Sequence, residues 1–467
     1  MSLEDRLYPL LSLYERLPDG LKRAAGWSYR QLPSRWRWGA RYPEFQRLAR
    51  ECVSWDSDTL AEYQFRQLRQ VLIQAGNYSP LYQRRFAEAR FQPELMRSRE
   101  DLAGCPFTGK ADLQQHLAGM PSSAVPAKRR LYVTTGGSTG VPVGFYLQKG
   151  VSRPKEQAFL EAQWARAGYT PGARLAVIRG HVTTDRADGR IATHDATRDW
   201  LLLSSSHLTE ARLPDYLEAI ERFRPDILHA YPSTALQLAG FLERSGQSWR
   251  VPLRCVLAGS ERLNLPQKRL LERVFGCRIY RWYGHAERVV LAAEGHHSEL
   301  FYFWPAYGYV EFGPPDADGF CEVIGTSFHN LAMPLIRYRT GDYVRLANPL
   351  TDGDLEFPWP AAAEIAGREQ EFLVSRSGRR ISLTAFNMHD ALFDGLYAVQ
   401  FFQEEPGIAE FRYVPSPAFH ASRLDLIRDG IQRKLGDDFE VTCRAVPDTE
   451  KTARGKHRWL VSRLAQP

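Results

Sequence analysis

Residues 255–283, CVLAGSERLNLPQKRLLERVFGCRIYRWY, decide the fold class of this chain. The stretch opens with a short apolar run at 255–257, which is typical of a buried strand. A helical pattern follows at 266–275, and Gly276 stands where a helix commonly stops. Residues 278–283 are again strand-like. A strand, a helix and a second strand in this order predict a βαβ unit within a parallel sheet.

The same alternation continues upstream of this stretch. Strands and helices are predicted in turn at 175–178, 214–223, 226–228 and 233–244. Downstream, strand-like segments at 307–312, 320–324 and 335–338 follow one another without helices. We therefore predict an α/β fold, with a large N-terminal domain of mostly parallel sheets flanked by helices.

The chain of 467 residues is too long for one compact core. We expect residues 1–125 to form a mainly helical part of the large domain and residues 126–366 its α/β part. A Pro/Ala-rich stretch at 349–363 precedes a boundary at 367. Residues 367–467 then predict a small, mobile α+β domain, with strands at 398–403, 409–413 and 439–443 and a helix at 423–435.

Charge and composition restrict the classes of function. A net charge of +7 suits anionic ligands, but no RNA-binding signature accompanies it, so no nucleic-acid partner is expected. Arginines and tryptophans interleave at 30–50, and we favour arginines lying over the protein's own surface above binding to RNA or an anionic membrane. We expect neither a signal peptide nor a membrane span, and six scattered cysteines predict a cytoplasmic location.

The loop TTGGSTGVP at 134–142 is a candidate phosphate cradle. Its three glycines allow close backbone approach, and its hydroxyls and amide groups can donate to phosphate oxygens. The flanking apolar runs predict a turn between two strands, and no Gly-Lys-Ser/Thr closes the loop as in a Walker A sequence. Considered alone, the segment fits an ordinary Gly/Ser-rich hairpin better.

Five short segments downstream carry further polar chemistry. They are LAGSE at 257–261, YGHAE at 283–287, RYRTGD at 337–342, GR at 367–368 and KTARGK at 451–456. Two of them follow predicted strands, and the carboxyl ends of strands line the ligand crevice of an open α/β sheet. Each segment alone has an ordinary explanation as a polar turn or a solvated charge.

The ordered set resembles the adenylate-forming ligases, in particular the phenylacetate–CoA ligase-like group with its CapK-type members. The resemblance extends over nearly the whole chain. It includes NYSPLY at 77–82, CPFTGK at 105–110, AGY at 167–169 and AYPS at 230–233.

The resemblance implies a role for each matching residue. The ATP phosphates would be held by Thr135, Gly137, Ser138, Thr139 and Gly140. The adenine would be bordered by Gly259, Ser260 and Glu261 and stacked on Tyr283, beside Gly284. Glu287 would ligate Mg²⁺, Asp342 would bind the ribose, and Arg368 would lie near the ribose or the α-phosphate. Lys456 would bridge the α-phosphate and the substrate carboxylate during adenylation.

The sequence departs from the family pattern at two places. Val141 stands where relatives often have a lysine before the proline of the loop, which removes a cation. Residues 292–297 read AAEGHH and lack the cysteine that relatives can use for structural zinc. We therefore expect paired surface histidines there rather than a zinc site.

The function implied is ATP-dependent activation of a carboxylic acid to acyl-AMP with release of pyrophosphate, followed by acyl transfer to a nucleophile. CoA is the first choice of acceptor. A sugar or amine, or a carrier thiol, in polysaccharide biosynthesis is the alternative, and a peripheral association with membranes or that pathway would accompany it. A non-catalytic nucleotide-binding scaffold is the second alternative. The acid and the oligomeric state are not predicted, although Tyr231, Trp282 and Phe328 are candidates to border the acid.

Overall fold

The computed structural model describes most of the chain. The described residues are 18–134, 143–179, 191–205, 208, 210–261, 263–316, 319–348, 352, 355–366, 372–382, 396–415, 419–450, 458 and 460–464.

Helices dominate the first part of the described chain, as the sequence predicts. They are α1 Asp19–Gln31, α2 Ser34–Arg37, α3 Tyr42–Glu51, α4 Ser57–Tyr78, α5 Pro80–Glu88 and α6 Lys110–Gln115. The longest, α4, begins where the Asp56 side chain accepts a hydrogen bond from the Thr59 amide. Its buried positions recur at helical spacing and pack against α/β residues such as Tyr302 in a common core.

One large sheet organises the centre of the molecule. In the described part of the chain it has twelve strands: β3 Leu175–Ile178, β4 Ala192–Asp195, β5 Trp200–Leu203, β6 Ile227–Ala230, β7 Cys255–Gly259, β8 Arg278–Gly284, β9 Leu291–Glu294, β10 Phe301–Phe303, β11 Gly308–Phe312, β12 Cys321–Ser327, β13 Tyr338–Leu346 and β14 Ala361–Ala366. Their order is β11-β12-β13-β14-β10-β9-β8-β7-β6-β3-β5-β4. A separate hairpin of β1 Arg130–Thr134 and β2 Gly144–Gln148 precedes them.

The α/β class is confirmed, but the large sheet is mixed rather than mostly parallel. Strands β5, β3, β6, β7 and β8 are parallel, and every other neighbouring pair in this sheet is antiparallel. The difference follows from the connections: helices cross over between the strands from β5 to β8, whereas short turns and loops join those from β8 to β14.

The crossover helices lie close to their predicted positions. They are α8 Leu213–Phe223, α9 Pro232–Ser245 and α10 Leu265–Phe275, and they follow α7 Ser152–Ala165, a helix before the sheet for which no prediction was made. Helix α10 begins in a capping box between Asn264 and Gln267. It ends at Gly276, whose φ of 64° is left-handed, so the predicted glycine stop is confirmed. The predicted strand at 335–338 was wrong in position, because the regular strand starts only at Tyr338.

The last part of the chain forms two smaller sheets. Strands β15 Phe372–Val374 and β16 Arg380–Ser382 pair with each other. A second sheet has the order β19-β18-β17-β20, with β17 Leu396–Gln403, β18 Ile408–Pro415, β19 Glu440–Ala445 and β20 Leu460–Ser462. Helix α11 Leu424–Leu435 joins these strands in a core of their own. The predicted boundary at 367 lies outside the described residues and stays a prediction.

In the basic segment near the start of the chain, some arginines contact the protein's own surface while two tryptophans stay exposed. Arg30 pairs with Asp199 at 3.3 Å, and the guanidinium of Arg41 lies 4.9 Å from the ring centre of Phe45, as expected for arginines lying over the protein's own surface. Trp27 and Trp36 remain more than half exposed.

All six cysteines lie within the described residues, and none forms a disulfide. Of the helices described, none is both long and apolar enough to cross a bilayer.

Candidate active site

The carboxyl ends of neighbouring parallel strands bring polar residues together. Arg179 follows β3, Tyr231 follows β6 and Ser260 follows β7, while Tyr283 is the second-last residue of β8. The register pairs Ile178 with Ala230, Ala230 with Ala258 and Gly259 with Trp282, so the four residues line one edge of the sheet. This is the edge at which open α/β sheets bind ligands.

The segment of Gly259, Ser260 and Glu261 makes a tight turn at this edge. A Cβ on Gly259 would lie 2.5 Å from Cε2 of Trp282, so the indole occupies space that only glycine leaves open. Ser260 has a φ of 72°, a left-handed conformation that is costly for a non-glycine residue. The Glu261 carboxylate accepts hydrogen bonds from both the amide and the hydroxyl of Ser233, at 2.8 and 3.0 Å. Glu261 therefore stabilises the first turn of α9.

Two predicted site residues contact each other directly. The Tyr283 hydroxyl donates to Oδ2 of Asp342 at 2.9 Å, although 59 residues separate them. Burial and the charge of Asp342 raise the pKa of Tyr283 well above its usual value. The Asp342 amide also donates to the Thr340 hydroxyl at 3.1 Å, which fixes the turn that carries the carboxylate.

Glu287 is a buried carboxylate, with 6% of its surface exposed. Its Oε1 accepts a hydrogen bond from the Tyr338 hydroxyl at 2.9 Å, and its Oε2 lies 3.7 Å from Nδ1 of His285. Neither ring nitrogen of His285 has a hydrogen-bond partner among the residues that the structure describes. The next residue, Arg288, has a φ of 55°, and the buried ammonium of Lys155 donates to its carbonyl at 3.2 Å.

The site offers oxygen donors of the kind that Mg²⁺ prefers, but few of them. Oxygen ligands are those that Mg²⁺ prefers, and the ion is commonly held by one or two carboxylates together with substrate phosphates. The described residues supply one such carboxylate, Glu287, and contain no cluster of three or more metal-ligating side chains. The site therefore suits a cation brought in with a nucleotide rather than one caged by the protein.

Seven predicted site residues lie outside the described part of the chain: Thr135, Gly137, Ser138, Thr139, Gly140, Arg368 and Lys456. The structure describes the chain before and after each of these residues. The predicted strands that flank the 135–142 loop are confirmed, because β1 and β2 pair antiparallel and bring Thr134 opposite Gly144. Gly284 lies at the end of β8, beside Tyr283 as expected.

Sequence reasoning missed Arg179 and His229. Nη1 of Arg179 donates to Nε2 of His229 at 2.6 Å, and its Nη2 donates to the Ser260 hydroxyl at 2.5 Å. The available signal was an arginine directly after the predicted strand at 175–178. Phe328, which we considered for the acid pocket, instead packs against Tyr63 in the helical core.

The turn at residues 296–298 is held by a carboxylate. Glu356 accepts hydrogen bonds from three successive amides, those of His296, His297 and Ser298, at 2.5, 3.0 and 3.1 Å. These bonds lower the pKa of Glu356 against the opposing effect of its partial burial. His296 and His297 are both exposed, as expected for paired surface histidines.

Comparison with known proteins identifies relatives of the same kind. Phenylacetate-coenzyme A ligase from Pseudomonas putida is 30% identical over 334 residues, which cover 68% of this chain and 73% of the relative. The Escherichia coli phenylacetate-coenzyme A ligase is 27% identical over 68% of this chain and 73% of its own. Protein CapK from Staphylococcus aureus is 24% identical over 71% of this chain and 74% of its own. No family model matches the chain.

A solved structure supports the fold. 2-Hydroxyisobutyryl-CoA ligase, crystallised in the postadenylation state, aligns with a TM-score of 0.54 and 19% identity over 88% of this chain and 91% of the other. This similarity shows the fold only. The sequence relatives carry the family: the chain is an enzyme of the phenylacetate–CoA ligase family of adenylate-forming ligases.

Proposed function

We propose that this enzyme activates a carboxylic acid with ATP, releases pyrophosphate and passes the acyl group from acyl-AMP to CoA. One observation carries the assignment most directly. Tyr283 and Glu287 of the 283–287 motif meet the 337–342 motif at the carboxyl edge of the parallel strands, through the bonds from Tyr283 to Asp342 and from Tyr338 to Glu287. The names of the sequence relatives agree with this chemistry.

The described residues suit distinct tasks in the first half-reaction. Tyr283 offers a ring face for the adenine, and Asp342 offers a carboxylate for the ribose hydroxyls. Gly259 and Ser260 form the wall beside the base, with Gly284 at the end of β8. Because Glu261 is engaged with Ser233, we propose that it shapes this wall through α9 rather than contacting the nucleotide by its carboxylate.

The remaining roles rest on the resemblance of the motifs. Thr135, Gly137, Ser138, Thr139 and Gly140 would donate to the β- and γ-phosphates from the loop between β1 and β2. Arg368 would lie near the ribose or α-phosphate, and Lys456 would bridge the α-phosphate and the acid. Lys456 belongs to the proposed C-terminal domain of residues 367–467, which would move between the half-reactions.

The chemistry explains why such groups are required. In adenylation a carboxylate oxygen attacks the α-phosphorus and pyrophosphate leaves, so two anions must be brought together. Mg²⁺ bound at Glu287 would neutralise part of the phosphate charge. In the second step the thiolate of CoA attacks the acyl carbon and AMP leaves. Losing one preorganised cation typically lowers the rate by roughly 10²–10³.

The acyl acceptor has one serious alternative. A sugar or amine, or a carrier thiol, within polysaccharide biosynthesis is the acceptor that the resemblance of the motifs to CapK-type members implies, and Protein CapK is among the similar sequences. The exposed Trp27 and Trp36 would suit a peripheral association with the membranes where such pathways operate. CoA remains the first choice because several relatives are named CoA ligases.

Pyrophosphate release across a panel of carboxylic acids, measured with and without CoA, tests the assignment. The expected result is ATP- and Mg²⁺-dependent release with at least one acid, and formation of an acyl-CoA in the same mixture. Acyl-AMP that accumulates in the presence of CoA would favour the amine or carrier alternative. ATP binding without turnover on any acid would favour a non-catalytic scaffold.

A substitution separates the two half-reactions. Lys456→Ala should abolish adenylation and spare acyl transfer from preformed acyl-AMP, because the lysine is needed only in the first step. Lys451→Ala, in the same segment, serves as the matched control and should keep both steps. Equal loss of both half-reactions in Lys456→Ala would contradict the proposed movement of this lysine.

A further inference from the structure

An arginine lies at the edge of the crevice, and its hydrogen bonds go to side chains other than carboxylates among the described residues. The Arg179 guanidinium donates to His229 and Ser260, and it also interacts with the hydroxyl of Tyr231. All three partners are neutral. Since an arginine can only donate, Nε2 of His229 must accept, which places the proton of this imidazole on Nδ1.

Other arginines of the same sheet have acidic partners. Arg254 pairs with Asp226 at 3.1 Å and Arg281 with Glu294 at 2.5 Å. No described carboxylate lies within ion-pair distance of Arg179; Glu261, which is bound to Ser233, acts on Arg179 only through its charge from farther away. A partly exposed guanidinium with uncharged hydrogen-bond partners can bind an anion from the crevice, because charge-assisted hydrogen bonds to an anion are stronger than those to neutral groups.

Two aromatic rings lie beside the guanidinium of Arg179. Its guanidinium carbon lies 5.3 Å from the ring centre of Tyr231 and 5.2 Å from that of Trp282. Both rings border the edge where Ser260 and Tyr283 lie, so the cation is next to the predicted nucleotide wall. A pocket with aromatic walls and one or a few fixed polar groups is typical of ligand recognition.

We propose that the acid activated by this enzyme carries a second carboxylate, which Arg179 binds while the first carboxylate is adenylated. The inference rests on the proposed function and adds the class of its substrate. A planar guanidinium matches a carboxylate in geometry as well as charge. The neutral partners hold the guanidinium in position, and the aromatic walls contact the body of the acid between its two acidic ends.

Matched pairs of acids test the proposal. Hexanoate is compared with adipate, and benzoate with terephthalate, in the pyrophosphate assay. In the pair that the wild-type enzyme turns over faster, we expect kcat/KM to be at least about tenfold higher for the dicarboxylate than for the monocarboxylate. In Arg179→Met the ratio of kcat/KM for the dicarboxylate to kcat/KM for the monocarboxylate should fall to about one, whatever the change in the rate with the monocarboxylate. A thermal unfolding midpoint close to that of wild type shows that the variant is folded.

Two further variants sharpen the interpretation. Arg179→Lys keeps the charge but loses the planar donor geometry, so it should retain part of the preference. Arg254→Met removes an arginine at the opposite end of the same strands and should leave the preference unchanged. Equal turnover of both members of each pair by the wild type, or equal loss of both by the two Arg179 variants, would overturn the proposal.

The outcome also separates this proposal from the one on which it rests. Pyrophosphate release with monocarboxylates alone overturns the role of Arg179 and leaves acid activation intact. If no acid supports pyrophosphate release, acid activation is contradicted, and calorimetric binding of terephthalate then tests Arg179 directly. Binding that is at least about tenfold weaker in Arg179→Met supports the anion site, and equal binding by both proteins contradicts it.

Discussion

The hydroxyl of Tyr283 donates to Oδ2 of Asp342 at 2.9 Å and so joins the end of β8 to the turn within β13. The resemblance to adenylate-forming ligases assigns separate contacts to these residues, the base to one and the sugar to the other. The hydrogen bond makes them a unit, because the position of the carboxylate depends on the phenol. A change in either residue should therefore affect the same step.

Tyr283→Phe tests this unit. The ring remains, but the Asp342 carboxylate loses a donor, so we expect KM for ATP to rise about three- to tenfold with a smaller change in kcat. Initial rates of pyrophosphate release at varied ATP concentrations measure the effect. Tyr78→Phe, at the exposed end of α4, is the control and should behave as wild type. An unchanged KM for ATP in Tyr283→Phe would contradict the link.

Gly259→Ala should inactivate the enzyme without unfolding it. The new Cβ would lie 2.5 Å from the indole of Trp282, so the ring or the turn must shift at the edge where the acid and nucleotide are proposed to bind. We expect a loss of about 10²-fold in kcat/KM in the pyrophosphate assay. Gly20→Ala, which has open space around it, is the matched substitution and should be neutral. Full activity of Gly259→Ala would show that this wall tolerates displacement.

Lys155 should make stability depend on pH above neutrality. Burial lowers its pKa from 10.5 to about 7, with a smaller contribution from Arg288 and an opposing one from Glu156. Between these values the unfolded chain binds the extra proton, so the free energy of unfolding rises with pH, by up to about 1.4 kcal/mol per unit. Denaturant titrations at pH 7 to 10 measure this slope.

The control for Lys155 is a substitution that removes its titratable amino group. In Lys155→Met the slope should be smaller than in wild type. The free energy of unfolding of the wild type should therefore increase relative to that of the variant as the pH rises. Lys128→Met, at an exposed lysine, should leave the slope unchanged. A difference between wild type and Lys155→Met that is constant over this range would refute the lowered pKa.

Glu356→Ala should destabilise the protein. The substitution leaves three amides, those of residues 296–298, without their acceptor, which we expect to cost about 2–3 kcal/mol. The shift of the urea midpoint reports the loss. Glu404→Ala removes an exposed ion pair with Arg463 and should cost less than about 1 kcal/mol. Equal shifts in the two variants would mean that the turn gains little from Glu356.

Local patterns predicted the regular elements well. Gly276 and the apolar spacing of 266–275 gave α10 nearly to the residue, because capping and amphipathic periodicity are local properties. Whether neighbouring strands run parallel or antiparallel was harder to predict from the sequence. A short apolar strand can have the same sequence pattern in parallel and antiparallel pairs, so the prediction of mostly parallel sheets missed the antiparallel half, for which the absence of helices between the strands was the available signal.

Contacts between distant segments account for what the sequence did not reveal. Ser233 and Glu261 are 28 residues apart, and His296 and Glu356 are 60 residues apart. Nothing in the local sequence of a carboxylate indicates which distant amide it will accept. Arg179 was missed for the same reason, since its environment is built from three other strands and their loops.

The three amide bonds accepted by Glu356 also concern the order in which the chain folds. The donors of residues 296–298 are satisfied by a side chain that lies about 60 residues farther along the same polypeptide. This corner of the sheet can therefore become ordered only after both segments have been brought together, so it should form late in folding rather than as a local turn.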